Sequence, residues 1–216
     1  MSTSEVYGTA RHTPMTEQHP TMPHTVYGGS KLAGECYARA FFDTHQYGTV
    51  IVRPFNSFGP RSHHEGDSGE VIPKFMLRAL AGKPMIVFGD GTQTRDFTYV
   101  GDTARGILLA GLSEKALGET INLGQGEEIT VCDLANKIKA VTGKLEAKIV
   151  FDEHRPGDVL RLLADSTKAE ELLNFAPEID LKEGLEKLFQ WYVSLEQSPI
   201  TLLEKEVRHN WRMDGS

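Results

Sequence analysis

The spacing of apolar residues predicts alternating helices and strands along the chain. Over residues 27–42, apolar side chains recur at helical spacing and Glu35 falls on the opposite, polar face. The following run, 49–52, is short and β-branched and ends at Arg53-Pro54, which predicts a buried strand. A helix that leads into a strand in this way predicts a right-handed crossover onto a parallel sheet.

The rest of the chain continues this alternation, which is typical of the α/β class. We predict further helices over 71–80, from a capping Asp102 to about 112, from a capping Thr130 to 141, and over 166–173 and 181–195. Further strands are predicted over 85–88, 119–123 and 148–151. Asp133 completes a weak capping box with Thr130. Residues 56–69 are rich in Gly, Ser, Pro and His and predict a surface loop.

Composition and charge narrow the class of protein. The chain has 216 residues, of which 39% are hydrophobic and 25% charged, so it fits one large globular domain or two small ones. Its net charge of −7 and the lack of a basic cluster argue against nucleic acid as a partner. The sequence shows no apolar run that could span a membrane and no secretory signal, so we expect no membrane association and a cytoplasmic location.

The cysteines and the neighbouring histidines do not predict special chemistry. Two cysteines, Cys36 and Cys132, make no disulfide framework, and both fall in helical patterns where a small buried hydrophobe is expected. His63 and His64 invite a metal interpretation. Adjacent side chains point apart on an extended chain, however, and no third ligand is suitably spaced, so we expect no metal site there.

Tyr27 and Lys31 are four residues apart at the start of the first predicted helix, so their side chains share one face. A phenol is a poor acid or base near neutral pH, and a neighbouring ammonium favours its ionised form. The pair could therefore exchange a proton with a bound substrate. The spacing alone is weak evidence, because two half-exposed polar residues would produce the same pattern.

Six sequence motifs, which include the Tyr27–Lys31 pair, provide stronger evidence than the pair alone. In chain order they are STSEVYG (2–8), YGGSKLAGE (27–35), RPFNSFGPR (53–61), VFGDG (87–91), TRDF (94–97) and RPGD (155–158). In this order and spacing they resemble the extended short-chain dehydrogenase/reductase family, specifically its nucleotide-sugar epimerases, dehydratases and decarboxylases. The resemblance implies the C-terminal part of a Rossmann-type doubly wound parallel sheet, together with a smaller mixed α/β substrate-binding domain.

The resemblance also implies catalytic and cofactor-binding roles. Tyr27 looks like the acid/base that exchanges a proton with the sugar while hydride passes to or from the cofactor, NAD. Lys31 looks like its partner on the nicotinamide ribose, and Thr3 like the hydroxyl that binds the reacting sugar oxygen. Pro54 and Phe55 match a segment close to the nicotinamide.

Five further residues match positions that bind the nucleotide-diphosphate sugar. Asn56 resembles a residue that contacts the sugar diphosphate, and Phe88 resembles one that lines the nucleoside pocket. Arg95, Arg155 and Asp158 resemble contacts to the diphosphate and ribose, and guanidinium groups are well suited to clamp a diphosphate.

Each of these residues also has an ordinary structural interpretation. Thr3 could be a frayed terminal residue, Asn56 a turn residue and Phe88 a core residue. Arg95 could form a surface ion pair with Asp96. The run 155–158 consists of residue types that suit a simple turn.

The glycine-rich turn that binds a dinucleotide pyrophosphate in this family does not occur in these 216 residues. We therefore expect residues 1–60 to be a remnant of the NAD-binding domain. Residues 61–216 would mainly form the substrate domain, with about 92–125 returning to the Rossmann part. Without its neighbours, the strand at 49–52 would become an exposed sheet edge.

The function implied by the resemblance is that of an NAD-dependent epimerase acting on a nucleotide-diphosphate sugar through transient oxidation at C4, with this chain alone inactive. UDP-glucuronate decarboxylase and dTDP-glucose 4,6-dehydratase are the alternatives within the family. Dehydratases usually have Asp-Glu where this chain has Ser4-Glu5. A non-catalytic protein that binds sugar nucleotides or oligomerises is the alternative from another class. The first helix resembles part of the family's intersubunit bundle, which implies a homodimer or a larger assembly.

Overall fold

The computed structural model describes residues 1–66, 69–209 and 211 and confirms the α/β class. The helices are α1 (Val26–His45), α2 (Val71–Leu80), α3 (Val100–Leu112), α4 (Val131–Thr142), α5 (Thr167–Leu173), α6 (Leu181–Ser194) and α7 (Pro199–Leu202). The strands are β1 (Ile51–Pro54), β2 (Ser57–Phe58), β3 (Met85–Phe88), β4 (Thr94–Asp96), β5 (Thr98–Tyr99), β6 (Thr120–Leu123), β7 (Glu128–Thr130) and β8 (Ile149–Asp152). Within the described residues, no helix has the length and apolar content needed to cross a bilayer.

The chain divides into two compact units. Unit 1 comprises Met1–Ser57, Gln93–Ile129 and Gly157–Asp180, and it contains the parallel pair β1–β6. Unit 2 comprises Phe58–Thr92, Thr130–Pro156 and the described part of Leu181–Ser216, and it contains the parallel pair β3–β8.

Each unit has its own apolar core. In unit 1, one cluster is built around Ile121 and Leu123 of β6, and a second surrounds Phe55. In unit 2, α4 contacts both α2 and α6, and buried side chains such as Leu77 and Leu188 fill the space between the elements. Burial of this apolar surface is the main favourable contribution to folding.

Several local predictions are confirmed. The bounds of α2 and β3 agree with the predicted residues, and Thr130 caps α4 by accepting a hydrogen bond from the Asp133 backbone N–H at 3.0 Å. Pairing of β1 with β6 confirms the parallel arrangement. In each case the signal lies within a few residues of chain, where capping and periodicity act directly.

Other local predictions were wrong. Asp102 does not cap α3, since Tyr99 holds the N-cap position and the Asp102 carboxylate accepts from the backbone N–H groups of Glu178 and Ile179. The predicted loop 56–69 contains β2 and the buried Phe58, although residues 67 and 68 lie outside the described part. The 3-10 turn at Ser4–Tyr7 was missed, as were β4, β5, β7 and α7.

As expected, β1 is an edge strand, since it pairs with β6 alone among the described strands, but its open side is partly covered. The strand runs over Ile51–Pro54 rather than 49–52, and the side chains of Ile51 and Val52 are both buried. On the side away from β6, the Ser2 backbone N–H donates to the Val52 carbonyl at 2.7 Å. The N-terminal residues therefore cover part of the strand that was expected to be open.

The predicted faces of α1 are partly reversed: Glu35 and several apolar residues lie on the sides opposite to those predicted. Glu35 is 2% exposed, whereas Tyr37 and Phe41 are 70% and 51% exposed, and Cys36 is also exposed. Cys132 is half-buried, and both cysteines are free thiols. The reason for the reversal is a partner 18 residues away, because Glu35 forms a buried ion pair with Arg53 of β1.

This ion pair lies at the centre of a hydrogen-bonded network. Arg53 donates from Nε and Nη2 to the two carboxylate oxygens of Glu35, at 2.8 and 2.6 Å, and from Nη1 to the Tyr7 hydroxyl at 2.8 Å. Ser2 donates to Glu35 at 2.6 Å, and Tyr7 donates to Asn122 at 2.7 Å. Burial alone would raise the pKa of Glu35, but hydrogen bonds from Arg53 and Ser2 and the Arg53 charge outweigh it and lower that pKa.

We expect Arg53→Met to destabilise the protein by about 3–5 kcal/mol, because it leaves the buried Glu35 carboxylate with only the partly exposed Arg39 as a counter-charge. The measurement is the free energy of unfolding from urea denaturation at neutral pH. Lys187→Met is the control, since Lys187 pairs with Glu183 at 3.2 Å on the surface of α6 and its loss should cost less than about 1 kcal/mol. Equal losses in the two variants would contradict the central role of the buried pair.

Candidate active site

The predicted catalytic pair occupies the first turns of α1. The Lys31 ammonium lies 5.6 Å from the centre of the Tyr27 ring, so the structure brings the two side chains together. Tyr27 is 50% exposed and Lys31 is half-buried. A phenol in this position is open to a ligand, with a cation beside its ring.

The start of α1 is fixed by a cap and by a close backbone approach. Thr25 accepts a hydrogen bond from the Gly28 backbone N–H at 3.0 Å and donates to the Glu5 carboxylate at 2.9 Å. A Cβ on Gly28 would lie 2.9 Å from the Glu5 carbonyl oxygen, so only glycine lets the helix approach the Ser4–Tyr7 turn this closely. These contacts orient the helix residue that precedes Gly28, which is Tyr27.

Thr3 lies at the N-terminus of the turn that packs against α1. Its backbone is extended, and its hydroxyl accepts from the Glu5 backbone N–H at 3.3 Å. It is therefore an ordered capping residue rather than a frayed end.

A second tyrosine in the same unit does not suit proton exchange with a ligand. Tyr7 is 1% exposed, and its hydroxyl is held between Arg53 and Asn122. Burial raises its pKa to about 12, even though the Arg53 charge acts in the opposite direction. Tyr7 is therefore a fixed donor in the network, whereas the half-exposed Tyr27 is open to a ligand.

The two residues predicted to lie near the nicotinamide have different environments. Pro54 is half-buried, whereas Phe55 is 0% exposed and packs in the core cluster with Tyr7 and Leu162. The Phe55 ring is enclosed by protein, so a ligand could reach only the backbone at that position.

Three of the residues predicted to bind the substrate have a polar partner in another of the predicted motifs. Arg95 donates to Asp158 at 2.5 Å, and both side chains are 14% exposed. Asn56 donates to the Asp96 carbonyl at 2.9 Å. Arg155 is exposed, and its guanidinium lies 5.9 Å from the centre of the Trp211 ring. The convergence of these residues on one ligand stays a prediction.

The alternative of a surface ion pair between Arg95 and Asp96 was wrong in its description of Asp96. That carboxylate is 0% exposed and accepts from the backbone N–H groups of Gln125, Gly126 and Ala164, at 2.9, 3.0 and 3.1 Å. Burial raises the pKa of Asp96 to about 6, although the three donors oppose this effect. Asp96 therefore joins three chain segments, a role that no local pattern in the sequence indicates.

Phe88, predicted to line the nucleoside pocket, ends β3 in unit 2. Its ring is half-buried and contacts the rings of His209 and Trp211, at centroid distances of 5.9 and 4.8 Å. Neither aromatic residue was singled out from the sequence. Among the described residues, no group of three or more His, Cys, Asp or Glu side chains is placed to hold a metal ion.

The parallel strand pairs and the tyrosine–lysine pair at the start of a helix agree with the resemblance to the extended short-chain dehydrogenase/reductase family. Residues 1–188 match the family described as GDP-mannose 4,6 dehydratase, and the chain belongs to that family. This confirms the resemblance on which the site residues were predicted.

Relatives within the family catalyse more than one reaction. The chain is 40% identical over 186 residues to a putative UDP-glucose 4-epimerase of Methanocaldococcus jannaschii, covering 86% of this chain and 59% of the relative. It is 33% identical to a dTDP-glucose 4,6-dehydratase of an Actinoplanes species, covering 89% and 58%. The chain thus spans about three-fifths of the length of these relatives.

A solved structure supports both the fold and the cofactor of the family. The UDP-glucuronic acid 4-epimerase of Bacillus cereus, in complex with UDP-glucuronic acid and NAD, superposes with a TM-score of 0.82 at 34% identity, covering 88% of this chain and 59% of the other. NAD is the cofactor of this family.

We expect Thr25→Ala to destabilise the protein by about 1–2 kcal/mol, because it removes both the α1 cap and the bond to Glu5. Thr25→Ser retains the hydroxyl and should stay within about 0.5 kcal/mol of the wild type. Urea denaturation of the three proteins provides the comparison. If the alanine and serine variants lose the same stability, the hydroxyl does not fix the start of α1.

Proposed function

We propose that this chain supplies the catalytic tyrosine and the substrate contacts of an NAD-dependent epimerase that acts on a nucleotide-diphosphate sugar by transient oxidation at C4. The observation that carries the proposal is the Tyr27–Lys31 pair, held on a capped helix turn with the tyrosine half exposed. The activity is proposed for the whole protein, since the chain spans about three-fifths of the length of its relatives.

Each residue of the pair has a defined role in this proposal. The Tyr27 hydroxyl takes the proton of the sugar hydroxyl and later returns it, while Thr3 donates to the same sugar oxygen. Lys31 binds the nicotinamide ribose. NAD, when bound, accepts the hydride from the sugar and gives it back.

The residues present fit one end of NAD. Tyr27 and Lys31 offer an exposed phenol and an ammonium to the nicotinamide end, and the backbone at Pro54 and Phe55 could border it. The 216 residues contain no Gly-x-Gly-x-x-Gly turn for the pyrophosphate. Tight NAD binding is therefore not expected of these residues alone.

Two residues beside Thr3 favour epimerisation over dehydration. Ser4 is 2% exposed and has no acidic group to offer the sugar. The Glu5 carboxylate accepts a hydrogen bond from Thr25, which ties it to the helix cap. A dehydratase of this family needs an acid that protonates the leaving hydroxyl, and this turn provides no free one.

We propose that Phe88 and Arg155, both of unit 2, contact the nucleoside diphosphate. We expect Arg155→Ala to weaken UDP binding roughly ten- to a hundredfold, because a charge-assisted contact is worth about 1.5–3 kcal/mol. Tyr27→Phe should bind UDP like the wild type, because the phenol acts on the sugar. Calorimetric titration measures all three proteins.

Lys144→Ala is the matched control, since it removes an exposed cation from the same unit as Arg155. Equal UDP affinity in the wild type and Arg155→Ala would remove the diphosphate role of Arg155. Tight NAD binding by the wild type would contradict the view that most cofactor contacts lie outside these residues.

We also propose that α1 forms a contact between copies of this chain. Tyr37 and Phe41 are largely exposed on this helix, and such apolar surface favours association. We expect the wild type to be a dimer or larger by light scattering at micromolar concentration, and Tyr37→Glu with Phe41→Glu to be monomeric. Leu145→Glu, which changes an apolar residue of similar exposure in unit 2, should leave the assembly intact. A monomeric wild type would contradict this proposal.

A further inference from the structure

The last described residues of the chain, 206–209 together with Trp211, form a segment that is held against unit 2. We call it the C-terminal segment. Its first residue, Glu206, forms an ion pair with Arg78 of α2 at 2.8 Å. The Lys74 ammonium, also on α2, donates to the Val207 carbonyl at 2.9 Å. These contacts hold the segment to α2.

The middle of the segment is held by β8. Asp152, the last residue of that strand, accepts from Arg208 Nε at 2.9 Å and lies 3.0 Å from His209 Nε2. A single carboxylate thus anchors two consecutive residues of the segment.

Trp211 contacts two residues that are proposed above to bind the nucleotide. Its ring centre is 4.8 Å from that of Phe88, with the rings at 84° to each other. The Arg155 guanidinium lies 5.9 Å from the centre of the Trp211 ring. Aromatic rings at this separation and angle are in direct edge-to-face contact, so no nucleobase fits between them.

We propose that the C-terminal segment is an internal competitor of the nucleoside diphosphate, with Trp211 occupying the ring surface of Phe88 and the guanidinium of Arg155. The inference rests on the proposed function, which gives those two residues to the nucleotide. Binding then requires that Trp211 leaves Phe88. The measured affinity is then the intrinsic affinity multiplied by the fraction of molecules in which the segment is undocked.

The size of the effect follows from the contacts that must break. An edge-to-face aromatic pair shifts an equilibrium by roughly two- to tenfold. We therefore expect Trp211→Ala to bind UDP about two- to tenfold more tightly than the wild type in calorimetric titration. Asp152→Asn, which weakens the anchor for Arg208 and His209, should change the affinity in the same direction.

Trp191→Phe is the matched control. Trp191 is the other tryptophan of the chain and packs on Tyr192 of α6 with a centroid distance of 4.8 Å. Its replacement by another aromatic ring should leave UDP affinity unchanged. The same variant makes Trp211 the only tryptophan, so its fluorescence reports the position of the segment even if Trp211→Ala fails to fold. Addition of UDP should shift the emission to longer wavelength as the indole enters water.

The outcomes separate the two proposals. UDP affinity that is equal or weaker in Trp211→Ala, or Trp211 emission that UDP leaves unchanged while binding is detected by calorimetry, overturns the inference alone. A weaker affinity would make Trp211 a wall of the pocket instead of a competitor. The absence of UDP binding from the wild type and from every variant overturns the proposed function and the inference with it.

Discussion

The bidentate pair between Arg53 and Glu35 is the interaction on which the geometry of unit 1 depends. Two charges withdrawn from water cost several kcal/mol each unless their partners are well placed. Here the Glu35 carboxylate accepts from Arg53, Ser2 and Arg39, and Arg53 also donates to Tyr7. In this arrangement the buried charged groups are paired, and α1 presents Glu35 to β1.

That arrangement sets how far Tyr27 is turned toward solvent. Positions four apart on a helix differ by about 40° around its axis, so residues 27, 31 and 35 follow a slow spiral. Along it, exposure falls from the half-exposed Tyr27, through the half-buried Lys31, to the buried Glu35. Tyr37 lies about 200° beyond Glu35 and is correspondingly exposed. One ion pair therefore determines both the accessible phenol and the apolar outer face of α1.

Helix bounds, caps and side-chain neighbours that depend on adjacent residues could be predicted from the sequence. Burial that depends on distant residues could not. The cap at Thr130 and the bounds of α2 follow from local signals, and so does the placing of Tyr27 beside Lys31. The reversed face of α1 depends on Arg53, and the burial of Asp96 depends on backbone donors 29 to 68 residues away. Hydrophobic periodicity predicts that a carboxylate is exposed to solvent. Its burial requires a partner, and here the partner comes from a distant segment that only the fold brings close.

The two arginines assigned to the diphosphate differ in the charge they can offer. The Arg95 guanidinium already faces the Asp158 carboxylate, so together they present little net charge to a phosphate. Arg155 is exposed, and its described neighbour is the uncharged ring of Trp211. Of the two, Arg155 therefore offers the larger net charge to a phosphate, and the Trp211 ring lies 5.9 Å from its guanidinium. Competition by the C-terminal segment would act on charge as well as on stacking, because the same indole contacts both Arg155 and Phe88.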